Sequence, residues 1–363
     1  MQYRTLGRTG LEVSIVSFGA IKLPRITQEE STAALNRALD LGVNFVDTGR
    51  GYRDSETRIG IALQKRRDDY ILATKTPARD AAGAMENLEA SLKELRTDVI
   101  DLWQLHSVSD PDTFEKVTAP GGAAEALVKA KEQGKVRHIG VTSHRSHEAM
   151  RRAITCGLFE TIMLCYNALD SEAVEPEILP LAKKHNVGVI VMKALSGGAL
   201  STPPEEGSEG PLRPDPIVVG SLRYVVSNDA VTTVIPGIER VAEIEDDAAV
   251  GDAPLPMTEA EKDALLRRIG GLRRDFRYGQ VCLRCGYCQP CPEGVRVPEI
   301  LRAADMYQRY PKRVKYMGVE AYQAIEVGPE HCEQCGECEE QCPAGLPVRE
   351  KLKEVAALFA KAD

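Results

Sequence analysis

Two groups of four cysteines dominate the C-terminal part of this 363-residue chain: Cys282-Leu-Arg-Cys285-Gly-Tyr-Cys288-Gln-Pro-Cys291-Pro and Cys332-Glu-Gln-Cys335-Gly-Glu-Cys338-Glu-Glu-Gln-Cys342-Pro. Two-residue gaps let successive thiolates bend around one soft centre, and a cysteine followed by proline turns the chain so that its thiolate reaches another. A segment built this way is committed to wrapping metal. Structural zinc also uses four cysteines with such gaps, but usually as separated pairs. Tight succession before a proline, twice over, suits two [4Fe–4S] clusters better. Ten cysteines in a chain of this length fall well short of the roughly 8–10% of small disulfide-built domains. The N-terminus, Met-Gln-Tyr-Arg-Thr-Leu-Gly, has no apolar signal segment, so a cytoplasmic location is expected. The two outlying cysteines, Cys156 and Cys165, read as inert core residues.

Upstream the pattern is different. From Val13 to about residue 250, short β-branched runs alternate with segments of helical spacing. The expected strands are Val13–Phe18, Val43–Asp47, Tyr70–Lys75, Val99–Leu105, Val136–Val141, Thr161–Tyr166, Gly188–Lys193 and Val231–Ile235. Each is followed by a helical candidate, the first opened by the capping box Thr27 and Glu30. This period and length predict an α/β fold, a closed (β/α)8 TIM barrel, rather than an open doubly wound sheet. The expected division is a barrel over residues 1–255 and, over 256–363, a helical linker and a small iron–sulfur domain. The proline-rich stretch Ser201–Pro216 and the stretch Ser107–Pro120 read as loops after barrel strands, where specificity would reside. Arg267, Arg268, Arg273, Arg274 and Arg277 form a basic run that reads as a solvated helix face.

A net charge of -8 argues against a nucleic-acid partner, which needs a basic surface to neutralise phosphates. No apolar run approaches the roughly 18 residues of a membrane span, so no membrane partner is expected either.

Several expected strands end abruptly in ionisable side chains. Asp47 (with Tyr52 five residues on), Lys75 and His106 stand at the C-terminal ends of the second, third and fourth, the face on which a barrel concentrates its chemistry. A buried strand-end charge must be paired, and Asp47 and Lys75 on neighbouring strands can pair with each other. A cationic lysine beside a phenol favours phenolate and lowers its pKa from about 10, which makes Tyr52 a usable general acid. His106 would then orient a carbonyl oxygen beside it.

At these residues the sequence resembles the aldo-keto reductase family, over about residues 1–250. The stretches that match are Tyr3-Arg-Thr-Leu-Gly-Arg-Thr-Gly10, the Asp47 to Ser55-Glu56 segment, Ile139-Gly-Val-Thr-Ser143, Tyr166-Asn167 and Val234-Ile-Pro-Gly237. The resemblance implies that Tyr52 donates the proton, Lys75 and Asp47 tune it, and His106 positions the carbonyl of a small carbonyl or alcohol substrate, with NADP or NAD carrying hydride. It also implies cofactor contacts at Thr142, Ser143, Asn167, Met192, Lys193, Gly237 and Arg240. Several positions depart from the family pattern. Met163 stands where a glutamine often meets the carboxamide, Met192 where a tyrosine often stacks, Glu243 where an arginine often meets the adenosine phosphate, and Gly237 where a lysine is frequent. His144 and His147 follow Ser143 on the same face as candidate pocket residues.

The cysteine region, from Val281 to Pro347, is similar to bacterial two-cluster ferredoxins. That resemblance implies crossed ligation, with Cys282, Cys285, Cys288 and Cys342 around one cluster and Cys332, Cys335, Cys338 and Cys291 around the other. The first group departs in having only Gln289 and Pro290 before its last cysteine. Hydride carries two electrons and a cubane moves one, so direct traffic between the halves would need a mediator such as FMN. Three readings follow: a carbonyl oxidoreductase coupled to or modulated by the clusters, which exchange electrons with an external carrier; a flavin-dependent electron-transfer enzyme on the same barrel; and a redox-sensing binding protein. The glutamates near the second group (Glu333, Glu337, Glu339 and Glu340) read first as solubilising charge and second as a face for a basic carrier.

Overall fold

The computed structural model describes residues 1–169, 171, 174–202, 214–269, 281–309 and 314–360. Most of the 201–216 stretch, and Arg273, Arg274 and Arg277 of the basic run, lie outside the described residues. The chain forms two compact units. One comprises Met1–Ala194 with Val219–Ala264, and the other Leu195–Val218 with Leu265–Asp363.

In the first unit an antiparallel ribbon of β1 (Tyr3–Thr5) and β2 (Glu12–Ser14) precedes the barrel, paired in the register Tyr3 to Ser14. Eight parallel strands then pair in chain order: β3 (Phe18–Gly19), β4 (Phe45–Asp47), β5 (Ile71–Thr76), β6 (Ile100–Leu105), β7 (Val136–Ser143), β8 (Thr161–Cys165), β9 (Gly188–Met192) and β10 (Thr233–Val234). Parallel bridges from Val16 to Val234 and from Gly19 to Gly237 bring the last strand against the first and close the barrel. The expected first strand is thus divided. Its start pairs outward in the ribbon, where the Ser14 amide is taken by the Asn44 side chain, while Val16 and Ser17 meet Val234 at the barrel closure and Phe18 and Gly19 pair with β4.

Helices α1 (Gln28–Asp40), α2 (Ser55–Ala62), α3 (Ala81–Leu95), α4 (Pro111–Thr118), α5 (Ala123–Glu132), α6 (His147–Thr155), α7 (Ile178–Lys184), α8 (Pro216–Val226) and α9 (Val241–Ala249) alternate with the strands. The Thr27 and Glu30 capping box forms as expected, with the Thr27 amide donating to Glu30 Oε2 at 2.7 Å and the Glu30 amide to Thr27 Oγ1 at 3.2 Å. The stretch Ser107–Pro120 is not wholly loop. Asp110 accepts from the Thr113 amide at 2.7 Å and Pro111 takes the first helical position, so α4 starts on an N-cap with a proline whose missing N–H costs nothing there. The inner strands are buried on both faces, as a parallel sheet sheathed by helices requires. Cys165 is buried within β8, but Cys156 is exposed at the end of α6, not in the core. The apolar stripe of α6 is carried instead by Ala149, Met150, Ala153 and Ile154.

The chain continues through α10 (Glu259–Ile269), and α11 (Val297–Arg309), α12 (Tyr316–Gln323), α13 (Glu337–Glu340) and α14 (Val348–Phe359) lie in the second unit. Tyr322 stacks on Phe359 with ring centroids 4.1 Å apart. Whereas the sequence places the 201–216 stretch with the barrel, its described residues, 201–202 and 214–216, fall in the cysteine-bearing unit. The reason is local: the Arg284 guanidinium donates to the Gly197 carbonyl, and the Leu283 backbone lies 2.8 Å from where a Gly197 side chain would begin. No helix among the described residues is long and apolar enough to cross a membrane.

Candidate functional site

The parallel register sets Asp47 beside Ala73, one step below Lys75, and Lys75 beside Gln104, so three adjacent strands deliver polar side chains to one end of the barrel. The Lys75 ammonium donates to Asp47 Oδ2 and to the Thr48 carbonyl, each at 2.5 Å. Lys75 Nζ also stands 4.7 Å from the centre of the Tyr52 ring, which meets the His106 ring edge-on at 5.6 Å. Asp47, Tyr52, Lys75 and His106 are therefore brought together. All except the half-buried Tyr52 are buried.

Burial sets the electrostatics here. It pushes the Asp47 carboxyl above its ordinary range against the pull of Lys75 and Gln104. It also works against the Lys75 charge, but Asp47 and Tyr52 outweigh it and Lys75 rises. Burial and the cations of Lys75, Arg79 and Lys193 hold His106 well below the usual histidine range, so its imidazole is neutral at neutral pH.

Two residues that the sequence reading passed over support this group. Gln104 donates from Nε2 to Asp47 Oδ1 at 3.3 Å. It precedes His106 by two positions on a strand, and that period of two was the signal that they share a face. Arg79 donates from its guanidinium to the His106 carbonyl at 2.7 Å and to the Ser107 carbonyl at 3.2 Å, gripping the turn where Ser107 takes a positive φ of 56°. Nothing local in the sequence pointed to that contact.

The expected nucleotide contacts are less uniform. Thr142 Oγ1 accepts from the Ser107 amide at 2.8 Å. Ser143 Oγ is buried and has no hydrogen-bond partner among the described residues. Asn167 donates to the Lys193 carbonyl at 3.2 Å and accepts from the Leu169 amide, which ties the end of β8 to that of β9. Met163 and Met192 are buried, and Lys193 holds a positive φ of 62°, an uncommon conformation for a residue with a side chain. Gly237 is covered by the Lys22 side chain, whose Cδ and Cε would lie 3.2 Å from any Cβ added there. Lys22 and Arg25 both reach Glu239, at 3.6 and 2.9 Å. Arg240 is exposed at the start of α9, and there Glu243 Oε2 accepts from the amides of Glu239 and Arg240 at 2.8 and 3.3 Å.

In the second unit the cysteines line two cavities. Cys291, Cys332 and Cys335 border one, and Cys282, Cys285 and Cys342 the other, with Cys288 and Cys338 reaching both. The thiols that act electrostatically on Cys288 are those of Cys282, Cys285 and Cys342, and those acting on Cys338 are Cys332, Cys335 and Cys291. Burial pushes the Cys282 and Cys288 thiols up to about 12 and Cys338 up to about 11, so loading a metal must displace protons from them. Among the described residues no three His, Cys, Asp or Glu side chains converge as a single ion would require. Gly286 and Gly336, which follow the second cysteine of each group, adopt φ of +83° and +90°, a turn that favours glycine.

A family model described as the aldo/keto reductase family matches residues 16–216, and one described as a 4Fe-4S dicluster domain matches residues 279–346. Oxidoreductase YqkF of Bacillus subtilis is 27% identical over 303 residues, covering 73% of this chain and 95% of that protein. L-galactose dehydrogenase of Arabidopsis thaliana is 29% identical, covering 69% of this chain and 88% of its own. The solved structure of aldo-keto reductase AKR11C1 from Bacillus halodurans in its holo form superposes with a TM-score of 0.61 at 28% identity, over 74% of this chain and 96% of that one. The buried strand-end group, the barrel and the long family match agree: the chain is an oxidoreductase that belongs to the aldo/keto reductase family and carries a 4Fe-4S dicluster domain at its C-terminal end.

Proposed function

We propose that the barrel reduces the carbonyl of a small molecule, or oxidises the matching alcohol, with NADP or NAD, and that the cysteine-bearing unit holds two [4Fe–4S] clusters. The buried group of Asp47, Lys75, Tyr52 and His106 is the observation that carries the reading. The nicotinamide dinucleotide, when bound, supplies or accepts hydride at the substrate carbon. The Tyr52 hydroxyl gives its proton to the carbonyl oxygen, so that carbonyl, hydride and proton together make the alcohol. Lys75, held by Asp47, stabilises the phenolate left behind, and the neutral His106 imidazole orients the oxygen.

Ser143, with a buried hydroxyl that lacks a partner among the described residues, suits a polar group such as the carboxamide, and Thr142 keeps its own hydroxyl proton to give. Asn167 and Met192 would border the ring, Lys193 the pyrophosphate, and Gly237 and Arg240 the adenosine end. Cys282, Cys285, Cys288 and Cys342 would hold one cluster, and Cys332, Cys335, Cys338 and Cys291 the other. The thiol neighbours of Cys288 and Cys338 support this crossed arrangement. The clusters supply one-electron storage. We read them as exchanging electrons in the cytoplasm with an external carrier, with FMN needed only if they communicate directly with the barrel.

Two measurements test the reading. Tyr52→Phe is expected to abolish carbonyl reduction while dinucleotide binding survives, and unchanged turnover would contradict the assignment. Anaerobically purified protein is expected to be brown with about eight iron per chain; a colourless, zinc-bearing preparation would sink the cluster claim.

A further inference from the structure

His144 is a buried titratable group that the mechanism above does not use. It is only 4% exposed. Leu105 of β6 pairs with Val141 of β7, so His106 and Thr142 follow side by side, and His144 lies two residues further along the same face. Its ring centre is 6.4 Å from that of His106, with the planes tilted by 36°. On one edge Nδ1 meets Ser107 Oγ at 3.4 Å, and the His144 backbone amide donates to Ser109 Oγ at 2.9 Å, so the loop after β6 fixes the ring. On the other edge Nε2 has no partner among the described residues, yet it is not among the sealed, unpartnered polar atoms, so it retains access to open space. Burial, with Lys193, Lys75 and Arg145, holds this imidazole neutral. Either atom can donate across the Ser107 contact; when the Ser107 hydroxyl donates to Nδ1, the ring proton sits on Nε2 and is available to donate outward.

We infer that His144 is a specificity-determining residue whose Nε2–H donates to an oxygen on the carbon next to the reacting carbonyl, so that the site selects carbonyl compounds bearing a neighbouring hydroxyl or keto group. This rests on the carbonyl-reducing reading of the Tyr52 site. A purely structural His144 would stiffen the loop but would not distinguish one substrate from another. A donor aimed at the substrate does distinguish them, because a site built to hydrogen-bond an oxygen discriminates against the analogue that lacks it.

The test compares kcat/KM of the full-length, cluster-loaded protein for 2-hydroxypropanal and propanal, which differ only in that neighbouring hydroxyl. Wild type is expected to prefer 2-hydroxypropanal by roughly threefold to tenfold, the worth of one hydrogen bond. His144→Ala is expected to erase the preference by lowering only the hydroxylated substrate's value. His144→Gln, which keeps an N–H donor, is expected to restore most of it. Ser107→Ala, which removes the partner of Nδ1, shifts the ratio in the same direction as His144→Ala and serves if that variant does not fold. An equal loss for both substrates, or a preference that survives His144→Ala, overturns the inference. Wild-type turnover without preference overturns it while leaving the carbonyl-reducing reading standing; turnover of neither aldehyde overturns both.

Discussion

The Lys75 ammonium lies 2.5 Å from the Asp47 carboxylate, with the two side chains only 1% and 2% exposed. Removing one member of such a pair strands a charge that burial has cut off from water. Lys75→Met is expected to destabilise the protein by about 3–5 kcal/mol, and the double variant with Asp47→Asn to recover part of that loss. Urea unfolding of the three proteins measures it. A double variant no more stable than Lys75→Met would show that the pair is not the source of the cost.

Arg79 holds the carbonyls of His106 and Ser107 from a neighbouring strand end. Arg79→Ala leaves both carbonyls without their donor and frees the turn that carries His106. We expect kcat to fall about tenfold to a hundredfold, with dinucleotide affinity little changed. Unaltered kcat in a folded variant would remove Arg79 from the positioning of the site.

The acid response follows from the two neutral histidines. His106 and His144 are held well below 6.5 in the folded protein, whereas in the unfolded chain they take up protons near that value. The unfolded state then binds more protons, so their contribution is complete above about pH 6.5 and declines as the pH falls below it. Each histidine contributes about 1.4 kcal/mol per pH unit. Denaturant melts between pH 7 and 5 should show the loss, and His144→Gln should make the dependence shallower.

Glu243 places its carboxylate on the amides of Glu239 and Arg240, just ahead of α9 and beside the exposed Arg240 side chain. An anion already seated there opposes a second one. Glu243→Ala is accordingly expected to raise the preference for NADP over NAD several-fold, read from KM for the two dinucleotides. A fall in that preference would place the adenosine end elsewhere.

Crossed ligation makes a distinctive prediction for cysteine replacement. Cys288→Ala and Cys342→Ala should disturb the same cluster although they come from different groups, and Cys291→Ala should behave like Cys332→Ala. Iron content falling from about eight toward about four per chain, with matching spectra within each pair, is the expected outcome. Spectra that pair Cys342→Ala with Cys332→Ala would show local ligation instead.

What could be read from the linear chain was whatever depends on local period and spacing. Eight strand-and-helix repeats announced the barrel, because burying both faces of a parallel sheet demands runs of a recognisable length and apolarity. Asp47, Lys75 and His106 were legible because each ends such a run with an ionisable side chain, and the cysteine groups because metal ligation requires close spacing. α4 was missed although Asp110 and Pro111 marked its start, and Cys156 was misjudged because helical membership alone does not say which face a residue occupies.

Tertiary structure alone decided what depends on contacts between distant residues. The Arg79 grip on the His106 turn, Lys22 lying over Gly237, the free Ser143 hydroxyl and the place of His144 beside His106 join residues that only strand register and barrel closure bring together. The grouping of Leu195–Val218 with the cysteine-bearing unit likewise rests on Arg284 and Leu283 meeting Gly197 across more than eighty residues of chain. Residue type and spacing are written locally and survive in the linear chain. The direction of a side chain and the identity of its neighbour are set by packing, which the chain acquires only on folding.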